Sequence, residues 1–165
     1  MYRTTPTKIS CFVISAISVL TTLLATHNFL LNKHIGLHSG CSLFERLLYP
    51  FIHANILHLV VNLYIFNLCF YRCNMSIRQM AMSFLIAYIV PASLTNVVGL
   101  SGVCFALFGI LFAHIKKGNR VTYLVQVFVT ILIALIVPHI AWQIHLFCFV
   151  IGLILGVIFK KFLQQ

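Results

Sequence analysis

The stretch VVGLSGVCFALFG at residues 97–109 places a serine between two glycines inside an otherwise apolar run. Its only other polar group is the thiol of Cys104. Behind Ser101, small residues recur at helical spacing, at Gly102, Ala106, Gly109 and Ala113. Such a stripe lets two helices approach closely. The pattern predicts a tightly packed helix that begins near Ser101, and by itself it leaves open whether that serine is a packing residue or a nucleophile.

The composition of the whole chain indicates that its solvent is largely lipid. Of the 165 residues, 62% are hydrophobic and only 7% are charged. A soluble domain of this length cannot bury so much apolar side-chain surface. Since a helix needs roughly 20 apolar residues to cross a bilayer, about six crossings fit in the chain. The sequence therefore predicts a single membrane-embedded domain over residues 1–165.

Six apolar runs are predicted to be transmembrane helices. They cover residues 9–31, 51–71, 79–98, 99–115, 121–138 and 142–159. Only helices and closed barrels satisfy their backbone hydrogen bonds in lipid, and the runs lack the period-two alternation of barrel strands. The predicted fold class is therefore an all-α bundle of six transmembrane helices. The first run is too long for the core of a signal peptide and has no small-x-small cleavage site, so we expect it to stay as a span.

The charges predict how the bundle is oriented. The chain has eleven Lys and Arg residues and one acid, Glu45. With a cytoplasmic N-terminus, nine basic residues fall in cytoplasmic segments and only Lys33 and Arg46 fall outside, as the positive-inside rule requires. Both termini are therefore predicted to be cytoplasmic. A nucleic-acid partner is not expected, because aromatic residues are not interleaved with the basic ones along a polar face.

The six cysteines predict neither a metal site nor a disulfide framework. Most lie inside apolar runs, and the sequence contains no CxxC and no HExxH pattern. These spacings give no support to a zinc site or to paired thiols. The cysteines are interpreted as small buried hydrophobic residues, and no metal or other cofactor is expected.

Three polar residues in different runs share one predicted depth. Ser101 and His145 each precede a lysine at the cytoplasmic end by fifteen residues, and His58 precedes Arg72 by fourteen. At the rise of a helix this separation is roughly 22 Å. In a hydrocarbon core roughly 30 Å thick, all three would lie about 8 Å below the outer surface. Polar residues at such a depth are costly, which makes them candidates for function.

Each of these candidates has a chemical and a structural interpretation. Ser101 is either a packing residue or a nucleophile, at a helix start whose unpaired N–H groups suit an oxyanion. His145 is either the general base that a serine needs or an interfacial histidine. His58 and Asn62 share a helix face, and they either donate to an oxyanion or bond between helices. His53 points elsewhere on that helix and is interpreted as structural.

The scarcity of acids narrows the possible chemistry. With Glu45 as the only carboxylate, an aspartyl dyad is excluded. Proton-coupled transport usually requires acids inside the membrane, and the apolar runs contain none. Glu45 belongs to the first external loop and is not expected to complete a Ser-His-Asp triad. A Ser/His pair without an orienting carboxylate remains.

Three motifs resemble those of the rhomboid family of intramembrane serine proteases. They read HANILHLVVN at 53–62, GLSG at 99–102 and HLFCFVIGLILG at 145–156. The stretch RLLYPFIHAN at 46–55 also resembles the family's approach to its second helix. The likeness covers residues 45–156 and implies the rhomboid fold and a serine endopeptidase that cuts membrane proteins in or near their transmembrane segments.

The resemblance implies a role for each matching residue. His145 would take the proton of Ser101, which attacks a peptide carbonyl, and an acyl-enzyme would form. His58, Asn62 and the Ser101 N–H would stabilise the oxyanion. Phe105 would pack on the imidazole of His145. The supporting positions are Gly99, Gly102, Phe105, His53 and Gly152.

Two residues depart from the family pattern near the site. Cys148 stands where the family has its first glycine after the histidine, and Ile144 stands where a small residue is common. Contact between the fourth and sixth helices is therefore expected to be looser there. Two alternatives remain open: a rhomboid-like protein that binds membrane helices without cutting them, and an unrelated small transporter or channel.

The likeness also implies partners and a location. The substrates would be single-span membrane proteins with small, helix-weakening residues near the cut. The fifth helix would act as a lateral gate, with the turn at 138–143 as a cap. By analogy, a compact six-span chain of this kind belongs in a bacterial inner membrane, surrounded by the lipid bilayer.

Overall fold

The regular structure of the chain is helical. The computed structural model describes residues 5–26, 35–92, 97–136 and 141–163. Its α-helices are α1 Thr5–Thr26, α2 Leu43–Leu48, α3 Ile56–Tyr71, α4 Ile77–Tyr88, α5 Ser101–Phe112, α6 Arg120–Ile136, α7 Trp142–Ile158 and α8 Lys160–Leu163. Short 3-10 helices occupy Tyr49–Phe51 and Lys117–Asn119. Over these ranges the predicted all-α class is confirmed.

Each predicted apolar run contains a helix, and the third run differs most from the prediction. Helix α4 ends at Tyr88. The prediction that this helix continues to residue 98 was therefore wrong for residues 89–92 and 97–98, which the structure describes. Pro91 explains the stop, because proline lacks an N–H and disfavours helical backbone in the residue before it. Farther on, Val97 pairs with Leu37 in an isolated antiparallel bridge. Residues 27–31, 93–96 and 137–138 of the predicted spans lie outside the described residues.

Length and composition alone identify fewer spans than the hydropathy pattern does. Among the described residues, one helix, Thr7–Ala25, is long and apolar enough to cross a bilayer. A second crossing is possible if Leu43–Phe51 and Ile56–Tyr71, which meet at an angle of 81°, form one broken span. The apolar helices α5 and α7 fall below that length threshold.

Helix α5 is the centre of the bundle. Nine of its twelve residues are buried, as expected for a helix that is apolar on all sides. Helices α1 and α6 lie outside it and expose large apolar side chains, such as Phe12 and Val121, each 73% exposed. An apolar outer surface around an apolar core suits a chain that is solvated by lipid.

Glycines bring the backbones of α5 and α7 into direct contact. A β-carbon added at Gly152 would overlap the carbonyl oxygen of Ala106, and one added at Gly109 would overlap that of Phe149. At Gly156 the nearest atom would be the Ile110 α-carbon, 2.7 Å away. The small-residue stripe of α5 therefore packs against α7, as in other close helix pairs in membranes.

The segment that leads into α3 is fastened to the end of α4. Arg46 donates two hydrogen bonds of 2.7 Å, to the carbonyl oxygens of Tyr88 and Val90. The Tyr49 hydroxyl donates to the carbonyl of Ala87 at 2.7 Å. The two Arg46 bonds satisfy carbonyls at and just beyond the end of α4, where the helix supplies no N–H groups. The carbonyl of Ala87 also accepts from the Val90 N–H at 3.3 Å. These bonds hold Tyr49 in place against the start of α5.

Candidate active site

Ser101 is the first residue of α5, and the backbone before it is fixed from two sides. The Gly99 N–H donates to the carbonyl of Tyr49 at 2.8 Å. The Leu100 N–H donates to His53 Nε2 at 3.3 Å. Gly99 has a φ of 116°, which residues with a β-carbon rarely adopt. The turn therefore needs a glycine at this position, and it presents the serine, half-buried, at the start of the helix.

His58 and Asn62 lie directly beside this turn. A β-carbon at Gly99 would come within 2.7 Å of His58 Cε1 and 3.2 Å of Asn62 Nδ2. Both residues belong to one face of α3, whose first turn is capped by the Asn55 side chain accepting from the His58 N–H at 2.8 Å. The structure thus brings together the two residues of α3 and the backbone that leads into Ser101.

The Asn62 side chain carries an unused hydrogen-bond donor. Its Nδ2 is buried and has no hydrogen-bond partner in the part of the chain that the structure describes. A buried donor without a partner costs free energy, on the order of 1–3 kcal/mol. Such groups are rare in folded proteins and call for an explanation. A donor kept for an atom of a bound substrate is one such explanation.

His145 lies in the first turn of α7 and is 6% exposed. Its ring stacks on the ring of Phe105, with 4.3 Å between the centroids and 12° between the planes. Phe105 is four residues after Ser101, one turn along the same face of α5. This stacking places the imidazole beside the first turn of α5. The predicted contact between Phe105 and the imidazole is present.

No carboxylate orients His145 within the described ranges. Its Nδ1 is buried without a hydrogen-bond partner there. Glu45 lies in the first turn of α2. Its carboxylate accepts from the N–H and the hydroxyl of Ser42 at 2.7 and 2.8 Å. A longer contact of 3.5 Å joins it to His38. The only acid of the chain thus caps the start of α2.

The hydroxyl of Ser101 is not hydrogen-bonded to His145 in the described structure. Catalytic pairs are often apart in an empty site and close only with substrate. What fixes their relative position here is the packing of α5 against α7 and the ring of Phe105.

His53 connects three parts of the bundle. Its Nε2 accepts from the Leu100 N–H, so its Nδ1 carries the proton and donates to the Thr22 hydroxyl, 3.2 Å away. Its ring meets that of His58 edge-on, with 5.1 Å between centroids. It is 2% exposed. These contacts agree with the structural interpretation of His53.

The remaining predicted residues lie along the contact between α5 and α7. A β-carbon at Gly102 would be 3.4 Å from Ile144 Cγ2, 3.5 Å from Cys148 Sγ and 3.7 Å from the Tyr49 hydroxyl. The Cys148 thiol therefore fills the space where the sequence predicted a looser contact. Gly152 lies one turn deeper, against Ala106.

The sequence alone does not single out two residues that hold the site. Tyr49 accepts from Gly99 and packs near Gly102, and Thr22 holds His53. Tyr49 belongs to the quoted stretch RLLYPFIHAN, so a signal for it existed. Thr22 is one of several Ser and Thr residues in α1, next to Thr21, and nothing in the sequence distinguishes it from the others.

Comparison with known families agrees with this geometry. The family model for the Rhomboid domain matches residues 40–162. The chain belongs to the rhomboid family. No curated protein and no solved structure gave a significant match. Family membership makes this rhomboid protein an integral membrane protein, in a family whose members are generally intramembrane serine proteases acting on transmembrane substrates.

Proposed function

We propose that this rhomboid protein is an active serine endopeptidase that cuts transmembrane proteins with a Ser101–His145 dyad. The observation that carries the proposal is the stacking of His145 on Phe105, 4.3 Å between ring centroids, one turn from a serine at a helix start. A general base beside a hydroxyl is what nucleophilic catalysis by serine requires. The unpaired donor of Asn62, which lies beside Gly99 in the turn that leads into Ser101, also supports the proposal.

The chemistry follows from the positions of these groups. His145 Nε2 accepts the proton of the Ser101 hydroxyl as its oxygen bonds to the carbonyl carbon of the scissile peptide. For that transfer, the proton of the neutral imidazole resides on Nδ1. The imidazolium then gives its new proton to the leaving amine, and an acyl-enzyme remains. Water, activated by the same imidazole, releases the acid and restores the hydroxyl.

The negative charge that forms on the carbonyl oxygen is assigned to three donors. They are the Ser101 N–H at the start of α5, the Asn62 amide and the His58 imidazole. The first turn of a helix has N–H groups without partners inside the helix. Donors that are already in place act most strongly where water is excluded. Gly99 leaves room for the His58 and Asn62 side chains to reach this position.

The proposed setting is a six-span bundle with both termini in the cytoplasm, in a bacterial inner membrane. Nine basic residues would lie on the cytoplasmic side and two outside, which favours this orientation. The catalytic pair would then open towards the outer leaflet. In the same proposal α6 is the lateral gate for a single-span substrate, and the turn at 138–143 is the cap. Residues 138–140 of that turn lie outside the described residues.

The direct experiment combines cleavage with active-site labelling. We expect the purified protein, reconstituted in liposomes with a single-span substrate, to release two fragments. We also expect a fluorophosphonate probe to label the protein and mass spectrometry to place the label on Ser101, because only an activated serine reacts readily. Labelling on another residue, or no cleavage of any in a panel of single-span substrates, would favour the alternative of a rhomboid protein that binds helices without cutting them.

Asn62→Ala is expected to lower kcat by about 10²–10³-fold, the usual effect of removing one oxyanion donor. KM should change little, because the donor acts on charge that develops only in the transition state. The matched control is Asn67→Ala on the same helix, whose amide is already bonded to Ser15 and to the carbonyl of Leu63. Equal losses in both variants would contradict a catalytic role for Asn62.

A further inference from the structure

A groove at the opposite end of α5 from Ser101 has a polar lining that the proposed proteolysis does not use. It lies between the end of α5 and the start of α6 and has a volume of about 630 Å³. The polar and charged residues that line it are His114, Lys116, Asn119, Thr122, Tyr123 and Gln126. The Nε2 of His114 lies 3.0 Å from Nε2 of Gln79 in α4. Lys116 gives the lining a positive charge, and no acid offsets it, because the only acid of the chain, Glu45, lies in α2 near the other end of α5.

The walls of this groove are held by specific contacts. The Tyr123 hydroxyl donates to the carbonyl of Phe108 at 2.6 Å, which joins α6 to α5. Arg120 Nε donates to the carbonyl of Ile115 at 3.3 Å, and its guanidinium lies 5.3 Å from the centre of the Phe112 ring. Arg120 therefore supports the wall from outside the lining, and Lys116 is the one lysine or arginine among the lining residues that the structure describes.

Three neutral side chains of the lining have hydrogen-bonding groups without a partner. Within the ranges that the structure describes, the side chains of Asn119, Thr122 and Gln126 form no hydrogen bond, and all three are exposed. Thr122 and Gln126 are four residues apart and share a face of α6.

Gln126 is unusual because of its depth. It follows Arg120 by six residues, about 9 Å along the helix, within the apolar run VTYLVQVFVT. A primary amide that faces hydrocarbon is costly unless it finds a partner. Polar groups at this depth therefore indicate a ligand or a function.

We propose that this groove binds the headgroup of an anionic phospholipid, with the phosphodiester at Lys116 and Asn119. The glycerol and ester oxygens then lie against Thr122 and Gln126, and the acyl chains follow the exposed apolar surface of α6. A lysine at the membrane surface favours anionic over zwitterionic lipids, and basic pockets between helices are suited to such headgroups. The inference rests on the protein being embedded in a membrane and is independent of its proteolytic activity.

The test measures lipid binding to the full-length protein in a non-ionic detergent. Native mass spectrometry would follow titrations with phosphatidylglycerol, phosphatidylcholine and glycerol phosphate. We expect phosphatidylglycerol to bind at least about 5-fold more tightly than phosphatidylcholine. Equal affinity for the two lipids would overturn the proposal. Displacement of bound lipid by an equal concentration of glycerol phosphate would also overturn it, since the groove would then recognise a free phosphate.

Variants distinguish lipid binding in this groove from a general electrostatic attraction of anionic lipid to the basic protein. Lys116→Gln should weaken phosphatidylglycerol binding about 5-fold, whereas Lys8→Gln, which removes an exposed cation of α1, should leave it unchanged. The double variant Thr122→Val with Gln126→Leu keeps every charge and should weaken binding by roughly 5-fold as well. Wild-type affinity in this double variant, or equal losses in Lys116→Gln and Lys8→Gln, would refute a defined groove. Melting curves without lipid confirm that each variant is folded.

Discussion

Ser101→Ala is expected to abolish cleavage, with a loss of at least about 10⁴-fold in kcat. Without the hydroxyl no acyl-enzyme forms, and the remaining oxyanion donors assist only direct attack by water. His145→Ala should lose a similar factor, because a neutral serine hydroxyl is a poor nucleophile without a base. The double variant should be no worse than either single one, since residues that act as a unit are not additive. Initial rates on a single-span substrate in liposomes measure all three.

A matched serine distinguishes loss of chemistry from loss of folding. Ser83 is buried in α4, where its hydroxyl donates to the carbonyl of Met80. Ser83→Ala should therefore keep its cleavage rate, whereas Ser101→Ala should keep its melting temperature and lose its rate. A Ser101→Ala protein that still cuts at a tenth of the wild-type rate would show that another residue is the nucleophile.

The site was more predictable from the sequence than the ends of the helices. Ionisable and hydroxyl side chains are uncommon in apolar runs, so Ser101, His145 and His58 could be recognised as candidates. Counting residues to the cytoplasmic ends of their helices predicts the same depth in the membrane for all three. The contact of Phe105 with His145 followed from family likeness. The hydropathy pattern reveals candidate site residues because a polar side chain inside the membrane costs free energy and is usually present for a function.

The ends of the helices and the contacts between them depend on residues that are far apart in the sequence, which a local sequence pattern does not reveal. The end of α4 at Tyr88 depends on Pro91 and on the hydrogen bonds from Arg46, which lies 42 residues earlier in the chain. The bond between Thr22 and His53 joins segments 31 residues apart. The sequence contains each of these residues but not their pairing, so neither feature was predicted.

The contact between α5 and α7 matters for the site because it is the shared support of Ser101 and His145. Gly152 and Gly109 allow the two backbones to touch, and close approach of this kind is the main source of helix association where both helices are as apolar as the lipid. The glycines that allow this helix contact therefore also set the distance between Ser101 and His145, the proposed nucleophile and base.

Gly152→Ala is expected to destabilise the protein by about 1–3 kcal/mol, because the new methyl group would overlap the Ala106 carbonyl and force α5 and α7 apart. The melting temperature in detergent should fall by roughly 3–10 °C, and cleavage should decline together with it. Gly118→Ala is the matched control, since a β-carbon there meets no atom within 4 Å. The melting temperature of Gly102→Ala should lie between those of Gly152→Ala and Gly118→Ala, because the nearest atoms to the new methyl group would be at ordinary contact distances of 3.4–3.7 Å. If Gly152→Ala melts at the wild-type temperature, the contact between Gly152 and the Ala106 backbone is not what holds Ser101 and His145, the proposed catalytic pair, in position.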